Sequence, residues 1–270
     1  NSANALLPPA DSLTSSWTFT PSSGTYVIDV LVADDGLPVQ QTRAKRLFRV
    51  SPATPPLLGS EDTDGDGIAD DVEGYGDSDN DGIPDYLDAQ TEGELLPDQS
   101  ISLLNSRLLQ TQQGLKLNIG NTALAAGIAG AAITDEDIIN FGDDSGSQPL
   151  NAQDEFDHLS GVYDFEISQM IPGASVQLVI PLQSAIPREA KYRKFDPVSG
   201  WTDFVVDASN TLSSAAGQSG VCPEPGSDQY KAGLNYLHNC LQLQISDGGP
   251  NDQDGEANGV VRDPGTLGIK

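Results

Sequence analysis

Positive charge is scarce in this chain: 13 lysines and arginines face 40 aspartates and glutamates, for a net charge of −27. Such a surface repels the phosphates of nucleic acid and the headgroups of an anionic membrane, and it favours divalent cations. Long apolar runs are lacking too. None approaches the roughly 20 residues of a membrane-crossing helix, so no membrane insertion is expected within this chain. No amino-terminal signal segment stands out and the first residue is not Met, which reads as an excerpt of a longer secreted protein. Histidine occurs only as His158 and His238, neither in a nucleophile or metal-ligand motif. The acids do not sit singly at strand ends, as paired carboxylates for glycoside hydrolysis would. The expectation is therefore not an enzyme. Cysteine is limited to Cys222 and Cys240. In an extracellular setting they suggest one disulfide closing a hairpin-like excursion, stabilising by about 3 kcal/mol on chain-entropy grounds. Two unpaired buried thiols are the alternative.

The acids concentrate in residues 62–88, DTDGDGIADDVEGYGDSDNDGIPDYLD, which divides into two twelve-residue loops. Asp62, Asp64, Asp66, Gly67, Asp70 and Glu73 occupy positions 1, 3, 5, 6, 9 and 12 of the first. Asp77, Asp79, Asp81, Gly82, Asp85 and Asp88 occupy the same positions of the second. Alternate carboxylates at this spacing converge on one ion, and glycine at position 6 lets the chain turn sharply. The backbone carbonyl at position 7 (Ile68, Ile83) adds an oxygen. Position 12 closes the shell, Glu73 in bidentate fashion and the shorter Asp88 less easily. No lysine or arginine occurs between Arg49 and Arg107, so a cation from solution has to neutralise the stretch. Ligands that are all oxygen, with no His or Cys close by, point to Ca2+ rather than magnesium or zinc. An extended acidic linker is the alternative, but it gives no reason for Gly at position 6 and Ile at position 7 to recur.

The remainder reads as mainly β, with 37% hydrophobic residues and abundant turn formers, Gly 28 and Pro 18. WTFT, GTYVIDVLVADD and TRAKRLFRV read as strands. Asp34-Asp35-Gly36 reads as a hairpin turn, with an inter-domain ion ligand as the alternative. The run resembles the closing strands of an immunoglobulin-like module of the PKD or cadherin type. A whole module needs about seven strands, so residues 1–57 are expected to be a partial immunoglobulin-like sandwich, either truncated or completed by neighbouring copies of the chain through strand sharing. After a proline-rich joint at 51–61, the DxDxDGxxDxxE/D units resemble thrombospondin type 3 repeats. That resemblance implies a calcium-loop linker over 58–90, a short rigid hinge whose Ile68, Val72, Ile83, Tyr86 and Leu87 pack on the flanking domains.

From residue 91 to 270 a larger C-terminal β-sandwich with a short helix is expected. SISLLNSRLLQT and GLKLNIGNTA read as strands, and TDEDIINFG as a helix capped by Thr134. GVYDFEISQM and ASVQLVIPL read as paired strands across an IPG turn, AKYRKFDPVSGWTDF as strand, turn and strand with Trp201 near the core, and LQLQIS as a strand. The closing run SDGGPNDQDGEANGVVRDPG resembles the ending of the bacterial choice-of-anchor U surface domain, matching at Asp247, Gly248, Gly249, Pro250, Asp252, Asp254, Gly255, Asn258, Gly259, Asp263 and Pro264. The family implies a secreted β-sandwich placed just before a cell-surface sorting signal, although the chain stops at Lys270 without such a tail. Asp252, Asp254 and Asn258 fall at positions 3, 5 and 9 of an incomplete loop that Asp247 or Asp263 would have to complete, so a third ion and a solvated turn are both open. Together these features imply a calcium-stabilised structural or adhesive segment of a large extracellular or cell-surface protein that assembles into filaments or a surface layer. The alternative is a calcium-dependent glycan- or peptide-binding module, with Tyr163, Tyr192 and Trp201 as stacking groups.

Overall fold

The computed structural model describes residues 24–33, 36, 41–50, 54–90, 92–99, 107–142, 149, 151–159, 161–218 and 221–270. The WTFT strand and the Asp34-Asp35 turn fall outside these residues, as does the start of the SISLLNSRLLQT run. Strands β1 (Gly24–Ala33) and β2 (Gln41–Val50) form an antiparallel ribbon in unbroken register from Gly24↔Val50 to Ala33↔Gln41. A helical turn, α1 (Asp70–Glu73), lies in the acidic segment. Then follow β3 (Leu95–Pro97), β4 (Leu108–Thr111), β5 (Lys116–Ile119), α2 (Asn121–Ala126), β6 (Ala132–Ile133) and α3 (Asp135–Phe141). The chain continues through β7 (Asp157–His158), β8 (Val162–Ser168), β9 (Ser175–Pro181), β10 (Lys191–Asp196) and β11 (Gly200–Asp203). It ends with β12 (Thr211–Ala215), β13 (Lys231–Ala232), β14 (Cys240–Ser246) and β15 (Val261–Ile269).

The strands after the acidic segment make two antiparallel sheets. One runs β13-β12-β14-β9-β4-β3, and the other β11-β10-β15-β8-β5, with β6 beside β8 and β7 beside β15. Between them lies one core. Leu178, Ile180, Leu241 and Leu243 come from the first sheet, and Leu117, Phe165, Ile167 and Leu267 from the second. The fold is therefore mainly β, a sandwich with short helices.

Four local readings hold. Thr134 caps α3 through a capping box, its hydroxyl accepting the Asp137 N–H while the Asp137 carboxylate accepts the Thr134 N–H. β10 and β11 form the expected hairpin, and the Trp201 indole packs beside the core, donating to Ala152 O at 2.8 Å. LQLQIS lies within β14. Cys222 and Cys240 are joined as a disulfide.

Two readings are corrected. β8 and β9 are not partners: β8 pairs with β5, β6 and β15, while β9 pairs with β4 and β14. The IPG turn carries the chain from one sheet to the other. β8 is buried at every position, so its alternation does not mark one wet face, and pairing was decided by distant strands. GLKLNIGNTA is also not all strand, because α2 begins at Asn121. Its first turn is held by Asp164 of β8, whose Oδ2 accepts the Ala123 N–H at 2.8 Å, and Gly127 ends it in the left-handed region at φ 73.

The core does not stop at residue 91. Ile83, from the second acidic loop, is fully buried in it, with Leu87 packed alongside. The main chain follows the side chain: Ile119 N of β5 donates to Asp81 O at 2.9 Å. The equivalent residue of the first loop, Ile68, is 46% exposed, and Val72 is 75% exposed. Of the residues expected to pack, Ile83 and Leu87 of the second loop do so, Tyr86 meets Tyr75 edge-on instead with ring centroids 5.9 Å apart, and Ile68 and Val72 of the first loop do not. Ile83→Ala should therefore cost about 2–5 kcal/mol, and Ile68→Ala less than about 0.5 kcal/mol, in urea unfolding at saturating calcium. Equal losses would show that the second loop is not part of the core.

Candidate metal centre

The two acidic loops are built alike. Gly67 (φ +97) and Gly82 (φ +101) sit in a region that disfavours side chains, which explains glycine at position 6. Position 4 is also left-handed, at Gly65 and at Asn80, the non-glycine residue type that best tolerates it. The Asp70 N–H donates to Glu61 O and the Asp85 N–H to Gly76 O, each at 2.8 Å, so each loop is closed by the same backbone bond.

Within this frame the aspartates at positions 1, 3 and 5 receive backbone N–H groups, on both oxygens at position 1 and on one oxygen at positions 3 and 5. Asp62 accepts from Gly65 and Gly67, Asp64 from Asp66, and Asp66 from Ile68. In the second loop Asp77 accepts from Asp81 and Gly82, Asp79 from Asp81, and Asp81 from Ile83. One carboxylate oxygen from each of Asp62, Asp64 and Asp66 lies within 4.8 Å of the others, and the same holds for Asp77, Asp79 and Asp81. Four oxygens in these loops are buried without any hydrogen-bond partner: Asp64 Oδ2, Glu73 Oε2, Asp79 Oδ2 and Asp81 Oδ2. No donor among the described residues takes the carbonyl of Ile68 or Ile83. Buried anionic oxygens left without donors call for a cation. Both clusters can hold a metal ion.

The electrostatics agree. Burial, and then the charges of Asp64, Asp66, Asp70 and Asp62, push Glu73 up to about 7. Burial followed by the Asp88 charge raises Asp81 to about 8. Burial, and then Asp79, Asp64 and Asp77, raise Asp88 to about 7. Asp64 of the first loop thus acts on Asp88 of the second, whereas Glu73 is acted on by carboxylates of its own loop.

Compared with protein-family models, with curated proteins and with solved structures, the chain matches none.

Position 9, expected as a ligand, is not part of either converging trio. Asp70 accepts the Thr63 N–H at 2.8 Å and the Thr63 hydroxyl at 2.7 Å, one on each oxygen. Asp85 accepts the Ser78 N–H at 2.7 Å and its hydroxyl at 2.9 Å. These carboxylates brace the loop from outside the converging trio. The hydroxyl recurring at position 2 was the available signal. Lys116 was also missed: its ammonium contacts Asp79 O, a cation from β5 that sequence distance concealed.

The closing run is organised without converging carboxylates. Asp247 accepts N–H groups from Gly173, Asn258 and Gly259. Asp252 accepts those of Gly248 and Arg262, while Asp254 pairs with Arg262 and the Asn258 amide. Asp263 turns away into the sandwich, beside Lys194. A hydrogen-bonded turn accounts for these residues, and among the described residues they form no third metal cluster. Tyr163 and Tyr192 are buried in the core and offer no stacking face. His158 is structural, between Asp135 at 2.6 Å and Asp154 at 3.1 Å.

The raised carboxylates fix a pH dependence. Without metal, the folded chain keeps protons on Glu73, Asp81 and Asp88 that the unfolded chain releases above about pH 4. Their contribution is fullest below that pH and is lost as pH rises through about 7 to 8. In chelator the melting temperature should fall between about pH 5 and about pH 8, and the increment from saturating calcium should be larger at the higher pH. A calcium increment independent of pH would contradict this assignment.

Proposed function

We propose that this chain is a calcium-stabilised structural or adhesive segment of a large secreted bacterial surface protein, in which two bound ions hold the acidic loops against the sandwich. The observation that carries the reading is the set of buried carboxylate oxygens of Asp64, Glu73, Asp79 and Asp81, which lack any protein donor. Calcium is favoured over magnesium because the ligands are carboxylates and main-chain carbonyls on an irregular loop. It is favoured over zinc because neither cluster contains His or Cys. On this reading the ions hold the loops in shape.

For an extracellular site with a dissociation constant near ~0.1 mM in ~1 mM calcium, linkage gives roughly 1.4 kcal/mol per ion. The second site holds Ile83 in the core, so its ion also stabilises the sandwich. The first site, with Ile68 and Val72 exposed, stiffens the approach from β2. Isothermal titration should show two calcium ions per chain, one after Asp81→Ala and one after Asp66→Ala, with magnesium a poor competitor. Unchanged uptake by the double variant would overturn the reading.

A further inference from the structure

Inside the sandwich an amine and a carboxyl meet. Lys194 of β10 lies opposite Gly265 of β15, and Asp263 lies opposite Phe165 of β8. Residues two apart on a strand share a face, so Lys194, Asp263, Tyr192 and Phe165 all point to the apolar side of the sheet. The Lys194 side chain is 7% exposed and that of Asp263 0%, and Nζ stands 2.5 Å from Asp263 Oδ1. Gly265 makes the room: a Cβ there would come 2.6 Å from the Tyr192 hydroxyl and 2.8 Å from Asp263 Oδ1.

As an ion pair this site is badly provided for. Taking two charges out of water is offset only when their remaining donors and acceptors find partners. Yet Lys194 Nζ, both Asp263 oxygens and the Tyr192 hydroxyl make no hydrogen bond of ordinary geometry. Transfer of one proton from ammonium to carboxylate removes both charges. It leaves a neutral amine, which is a nucleophile, against a neutral carboxylic acid, which is its electrophile. Burial pushes in that direction, lowering Lys194 and raising Asp263 to about 6, against the attraction between the two. Groups held together this way react with effective concentrations on the order of 10⁵–10⁸ M.

We propose that Lys194 and Asp263 join spontaneously in an intramolecular isopeptide bond. Nζ attacks Cγ, a new N–C bond forms, and the C–O bond to the carboxyl hydroxyl breaks. That hydroxyl leaves with one Nζ proton as water, and no oxidant or reductant takes part. The Tyr192 hydroxyl, on the same face, is the donor available to the oxygen that becomes negative in the tetrahedral intermediate. The product ties β15 to β10 covalently and encloses the Cys222–Cys240 excursion in a closed ring of chain. It does not depend on metal at the acidic loops.

Intact mass spectrometry of the full chain, denatured and with its disulfide reduced, reads the bond directly. The expected mass is that of the sequence less one water. Tryptic digestion should fail after Lys194 and yield a branched peptide carrying Lys194 and Asp263. Lys194→Arg keeps a cation but cannot form the amide, and should show the full mass. A full mass for the wild-type chain with normal cleavage after Lys194, a water loss mapped to another position, or the same water loss in Lys194→Arg would each overturn the proposal.

Discussion

Like charges held at contact distance repel, and the acidic segment folds only if something opposes that repulsion. Backbone N–H groups do part of the work, covering one oxygen of Asp64, Asp66, Asp79 and Asp81 and both oxygens of Asp62 and Asp77. Asp64 Oδ2, Asp79 Oδ2 and Asp81 Oδ2 stay buried without a donor, where burial strengthens every interaction, repulsive or attractive. A divalent cation, which both clusters can hold, would reverse the sign of that interaction. The elevated protonation of Glu73, Asp81 and Asp88 follows from the same crowding and burial.

The two loops share a blueprint but not a situation. Identical turns, bracing aspartates and closing hydrogen bonds give each the same local shape. Burial then separates them. Ile83 enters the sandwich core and Lys116 reaches the Asp79 carbonyl, while Ile68 stays largely in solvent. One ion site is thus a component of the domain, and the other extends from it.

Much of the loop region was legible in the sequence because metal-loop geometry is local. Carboxylates at positions 1, 3 and 5, with glycine at 6, specify a shape within twelve residues. Bracing by Asp70 and Asp85 was less visible, since the same residue type ligates or staples according to what stands at position 2. Capping by Thr134, the β10–β11 hairpin and the disulfide were readable for the same local reason. Strand pairing was not. The sequence neighbours β8 and β9 belong to different sheets because β15 and β14, far along the chain, compete for them, and a fully buried strand carries no alternation to reveal its partner. Lys194 and Asp263 were unreadable as a pair because composition places such residues at the surface. Asp263 looked like part of the closing turn until its strand carried it into the core.

Amide hydrogen exchange, with calcium and after chelation, tests the central claim most directly. The amides of Gly67, Ile68, Gly82 and Ile83 should be protected with calcium and lose that protection on chelation, while the central strands β8 and β14 stay protected. Equal protection of the four loop amides in both conditions would contradict the account, because the acidic loops would then hold their shape without an ion.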